Sequence, residues 1–76
     1  MKFKTESGSV YTIDAGTMRW HRVSTTPESG EIRQEFGNLE GWPEIVVGKR
    51  ALIFDKSVLP GHVAHAVLTS VVTEIL

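Results

Sequence analysis

The sequence contains no cysteine, which removes disulfide staples, thiolate zinc sites and a cysteine nucleophile together. It contains no apolar run long enough to span a bilayer. Its first residues place Lys2 and Lys4 before polar Thr5, Glu6 and Ser7, without the apolar stretch of a secretory leader. Neither sign of charge dominates: eight Lys and Arg stand against nine Asp and Glu, a formal net charge of −1. That balance argues against a surface built to coat nucleic acid. Phosphate loops, dinucleotide fingerprints and zinc-protease helices are also missing. The expectation is a soluble, cytoplasmic protein with no membrane contact. With 76 residues, a single domain over 1–76 buries only about 60–65% of its unfolded surface, so stability must come from close packing or from a partner subunit.

What is present reads as β structure. Phe3 in one short run, and Val10, Tyr11 and Ile13 in the next, flank Ser7-Gly8, a hairpin pattern in which glycine supplies a positive φ. Asp14-Ala15-Gly16 supplies a second turn. The stretch Thr17 to Val23 (TMRWHRV) then combines strand-forming residues with a cluster of cationic and aromatic side chains. Period two places Met18, Trp20 and Arg22 on one face and Arg19, His21 and Val23 on the other, so Met18 and Trp20 are expected on the core side. Arg22 shares the Trp20 face, which puts it at an exposed strand end or puts the register in error.

Ser24 to Gly30 reads as a surface loop. Glu31 to Phe36 alternates, with Ile32, Gln34 and Phe36 on one face and Glu31, Arg33 and Glu35 on the other, as expected of a strand with one wet side. Leu39 and Trp42 are candidate anchors of the irregular stretch that follows, and Trp42 reads equally as an exposed aromatic. Ile45-Val46-Val47 and Ala51 to Phe54, separated by Gly48-Lys49-Arg50, read as a second hairpin. Asp55 to His62 is a turn region. From Val63 to Leu76 the apolar spacing suits an amphipathic helix, but four valines, an isoleucine and two threonines favour a strand, and no strong N-cap precedes them. Strand is preferred, with helix as the alternative. The fold class is therefore all-β: a small single-domain antiparallel barrel or sandwich of five or six strands, SH3-like in one version.

Ser7-Gly8-Ser9-Val10-Tyr11, Arg19 and Arg22 around Trp20, Ile45-Val46-Val47-Gly48, and Thr69 to Ile75 occur in an order that resembles very short, uncharacterised all-β proteins of actinobacteria and their bacteriophages. The resemblance implies a barrel-like fold with a C-terminal strand and an accessory protein acting on a host protein. It implies no activity.

His62 and His65 could hold a metal with His21 or Asp55, but two histidines beside a turn are more simply solvent-facing, and no metal or other cofactor is expected. Carboxylates at Glu31, Glu35, Glu40 and Glu44 read as a solvated rim, and a core this small does not readily enclose a catalytic pocket, so no enzyme is expected. The preferred reading is a non-enzymatic protein-interaction module, binding a protein partner or self-associating, through Arg19, His21, Arg22 and Trp42. The alternative is a small β-barrel that binds single-stranded nucleic acid along Arg19-Trp20-His21-Arg22.

Overall fold

The computed structural model describes residues 1–25, 30, 32–56 and 65–76. Six strands run β1 (Lys2–Thr5), β2 (Val10–Asp14), β3 (Arg19–Thr25), β4 (Ile32–Asn38), β5 (Arg50–Asp55) and β6 (His65–Ile75), and there is no helix among the described residues. All pairings are antiparallel, in the order β4-β3-β2-β1-β6-β5, and the sheet curls into a half-barrel. The C-terminal segment is thus a strand, as its valines and threonines favour.

Hairpin β1–β2 is built by its turn chemistry. Gly8 N–H donates to Thr5 C=O and Thr5 N–H to Ser9 C=O, and Gly8 takes φ 87°, the left-handed position such a three-residue turn requires. Ser70 holds this turn against β6: its hydroxyl accepts from Ser7 N–H at 3.2 Å and donates to Ser7 Oγ at 3.0 Å.

Strand β6 makes the bend. Its first part pairs with β5 and its last part with β1, and the register slips by one residue in each ladder. An extra residue on one strand of a pair bends and twists it. At the first slip Thr69 is buried, and its hydroxyl accepts from Ala51 N–H at 3.0 Å and donates to Ser70 C=O at 2.7 Å. A polar side chain in the core is thereby fully occupied.

The concave face carries the core: Phe3, Tyr11, Ile13, Trp20, Leu39, Ala51, Ile53 and Val72, with Ile45 and Val67 packed against it. Phe3 and Tyr11 lie opposite each other on β1 and β2 with their rings stacked at 5.0 Å. Burying each large apolar side chain contributes about 1.5–3 kcal/mol.

The half-barrel is drawn together where the end of β4 meets the end of β5. Leu39 bridges Asp55; Lys56 N–H donates to Asn38 C=O at 2.8 Å and Glu40 N–H to Phe54 C=O at 2.9 Å. The Asp55 carboxylate accepts from Asn38 N–H at 2.9 Å. Gly37 makes this approach possible. It lies opposite Trp20, and a Cβ there would stand 2.6 Å from Asp55 Oδ1 and collide with the Trp20 indole.

Two expectations are corrected and one alternative is resolved. Met18 is exposed, with φ 52°, because the turn runs through it: Asp14 Oδ1 accepts from Gly16 and Thr17 N–H, and Met18 C=O accepts from Leu39 N–H. Its direction is set by the turn and not by the alternation of β3. Ile45-Val46-Val47 is not a strand; β5 pairs with β6 instead, and Gly48 N–H and Lys49 C=O bond to Val72 of β6. Val46 and Val47 are exposed and only Ile45 reaches the core. Trp42 is also exposed, while Leu39 and Pro43 are buried and hold that segment down.

Gly37→Ala is expected to lower stability by about 1–3 kcal/mol through overpacking against the indole. Asp55→Ala, which removes the acceptor of Asn38 N–H, is expected to cost about 1–3 kcal/mol. Thermal melts of the two variants check both, and an unchanged Tm in Gly37→Ala would contradict the close approach.

Candidate functional site

Period two divides the TMRWHRV stretch between two surfaces. On the convex side, Arg19 and His21 of β3 stand over Phe36 of β4, and Thr12, Asp14 and Thr17 complete the rim of a depression of about 560 Å³. His21 and Phe36 are directly opposite in the ladder, their rings parallel within 3° at 4.3 Å. His21 Nε2 also lies 3.2 Å from Gln34 Oε1, a bond in which the imidazole N–H donates. The histidine is held on both sides by β4.

On the concave side, Trp20 is only 4% exposed, and its indole nitrogen is buried without a hydrogen-bond partner among the described residues. It is a core residue, so it cannot stack on a base as the nucleic-acid alternative requires. Arg22 shares that face, so the register read from the sequence was right. Arg22 lies between Tyr11 of β2 and Glu35 of β4, and its Nη1 reaches Glu35 Oε1 at 3.4 Å. A half-exposed pair of this kind contributes about 0–1 kcal/mol. Burial raises the Tyr11 hydroxyl above its ordinary pKa; Arg22 offsets this in part and Glu35 adds to it.

Trp42 belongs to a separate groove of about 340 Å³, with Val46, Leu52 and Phe54 as its apolar wall and Lys49 and Arg50 beside them. The four expected contact residues are therefore not one site. Arg19 and His21 share the convex depression, Arg22 lies on the concave face, and Trp42 lines the other groove.

The residues misread from the sequence are those of β4. Ile32, Gln34 and Phe36 do share a face, but it is not a core face. Ile32 is 63% and Phe36 69% exposed, and Arg33 and Glu35 on the opposite face are exposed as well. Strand β4 ends the sheet and is exposed on both faces, and among the described residues β5 meets it only near Asn38 and Leu39. Gln34, a polar residue centred between the two hydrophobes, was the signal that this face does not enter a core.

Among the described residues no group of three His, Cys, Asp or Glu could hold a metal ion. His62 and the His65 side chain lie outside the described residues, as does Glu31. No described helix is long and apolar enough to cross a membrane. Comparison with protein-family models, curated proteins and solved structures found no match in any of the three.

Tyr11 is the only tyrosine, so its titration can be followed by phenolate absorbance. Because its folded pKa is raised from 10.0, its contribution is fully present below pH 10 and is lost as pH rises through the folded value. Tyr11→Phe is expected to flatten the fall in stability above pH 10 measured by urea unfolding; an identical slope in the variant would contradict the assignment.

Proposed function

We propose that the chain is a non-enzymatic protein-interaction module whose contact surface is β4 with the adjoining convex face of β3. The observation that carries this reading is the exposure of Phe36 and Ile32, the two most exposed large hydrophobic side chains described, on a strand at the end of the sheet. A strand edge presents backbone donors and acceptors to any chain that can extend alongside it, and flanking side chains select which chain that is. Arg19 and His21 border the Phe36 contact and supply its polar rim. The His21 ring, stacked on Phe36 and bonded to Gln34, stiffens the surface, which reduces the ordering cost of binding. Leu52, Phe54 and Trp42 on the other groove are a lesser contact region.

A photoreactive phenylalanine analogue in place of Phe36 is expected to crosslink to protein, whether a second copy or a different chain. The same analogue at Glu74, exposed on β6 and remote from β4 in the sheet order, is expected to crosslink little. Crosslinking of position 36 to nucleic acid would favour the nucleic-acid alternative, and equal yields at the two positions would count against a surface centred on β4.

A further inference from the structure

The edge of β4 turned away from β3 has a defined polarity. At its end, Asn38 directs both its N–H and its C=O away from β3, to the Asp55 carboxylate and to Lys56 N–H. Leu39 N–H points the other way, to Met18 C=O. The ladder from Asn38 back to Ile32 continues against β3 without a slip. In an antiparallel ladder the direction of the backbone groups alternates, so Phe36, Gln34 and Ile32 direct their N–H and C=O to that edge, while Gly37, Glu35 and Arg33 direct theirs to β3. Among the described residues nothing accepts or donates to those three outward pairs.

The same five residues, Ile32-Arg33-Gln34-Glu35-Phe36, are complementary to themselves when read in reverse. Set antiparallel to a second copy about Gln34, Ile32 faces Phe36 of that copy, Arg33 faces Glu35, and Gln34 faces its own counterpart. We propose that the occupant of this edge is a second copy of the chain, joined β4 to β4 about a two-fold axis at Gln34; this rests on β4 being the contact surface. In that register the Ile32–Phe36 and Gln34–Gln34 positions are the hydrogen-bonded pairs, each exchanging both backbone bonds, because those are the residues with outward groups. The Arg33–Glu35 positions are the non-hydrogen-bonded pairs, where side chains come closer and opposite charges interact best.

Each face of the joined sheet is then matched in kind. On the convex face the exposed Ile32 of each copy covers Phe36 of the other, alongside the His21 stack. On the concave face Glu35, already 3.4 Å from Arg22 of its own chain, gains Arg33 from the other. A register shifted by two residues in either direction pairs Gln34 with Ile32 or with Phe36 and loses both charge pairs. The interface is isologous, so it closes at two copies and leaves no further β4 edge for growth.

The test is sedimentation equilibrium of the purified protein with charge-swapped variants at exposed positions. Wild type is expected to dimerise with rising concentration. Arg33→Glu and Glu35→Arg are each expected to weaken the dimer by roughly tenfold or more, since every swapped pair becomes a repulsion. An equimolar mixture of the two is expected to recover dimers, because glutamates at 33 and 35 then face arginines at 35 and 33. The register is read separately by Gln34→Cys. The chain has no other cysteine, and residue 34 alone opposes itself, so mild oxidation is expected to crosslink Gln34→Cys faster than Arg33→Cys or Phe36→Cys. Circular dichroism confirms folding of each variant. A wild type that stays monomeric at every concentration, or a dimer indifferent to the swaps and to the position of the cysteine, overturns the proposal. A monomer whose position 36 still crosslinks to another protein would overturn self-pairing and leave the interaction surface standing.

Discussion

A curled sheet has to be held at its ends, and here the hold is a short seam centred on a carboxylate at a strand terminus. Asp55, the last residue of β5, accepts the outward N–H of Asn38, the last residue of β4. Backbone bonds on either side of this contact complete a short seam. The core reaches up to it. Trp20 and Leu39 are buried where the β4 end folds over toward β5, and Gly37 allows the approach by having no Cβ to meet the indole. In a chain this short, where little surface is buried and stability is marginal, one such contact is a large fraction of what keeps the fold closed.

The seam divides β4 into two regimes. At Asn38 the outward backbone groups are satisfied within the chain. From Phe36 to Ile32 the same ladder continues with outward groups that no described residue uses, and with side chains exposed on both faces. Natural proteins usually blunt such edges with charge, proline or bulges. Here Arg33 and Glu35 supply charge, but of opposite sign at positions that face each other under a two-fold axis. That arrangement disfavours indiscriminate pairing and favours one register.

Much of the fold was legible because it is written in local patterns. Ser7-Gly8 between alternating apolar residues predicts β1–β2, and the turn adopts the positive φ that glycine allows. The valines and threonines after His65 predict β6 over a helix, since β-branched side chains pack well on a pleated surface. The failures have a common physical origin in topology. Ile45-Val46-Val47 has strand composition, but strand propensity measures fit to a half-buried pleat, and β5 takes β6 as its neighbour instead. Ile32 and Phe36 alternate like core residues, yet whether an alternating face is covered depends on what packs over it, and nothing local records that β4 ends the sheet. Arg22 was the informative anomaly: a charged residue in register with Trp20 marks where the concave face runs out to solvent beside Glu35. The candidate site was accordingly only partly legible. Arg19 and His21 stand out in the cation and aromatic cluster, whereas Phe36, which joins them to the edge, reads from the sequence as one more residue of an alternating strand.

Native-state hydrogen exchange reads the outward amides of β4 one by one, and so separates the closed seam from the stretch beside it. Closure by the seam requires that the Asn38, Glu40 and Lys56 amides exchange only through global unfolding at every protein concentration, since each is bonded across it. In dilute protein the amides of Ile32, Gln34 and Phe36 exchange freely, and they become protected on concentration. A freely exchanging Asn38 amide, or outward amides on β4 that behave alike from Ile32 to Asn38 in dilute protein, would contradict it.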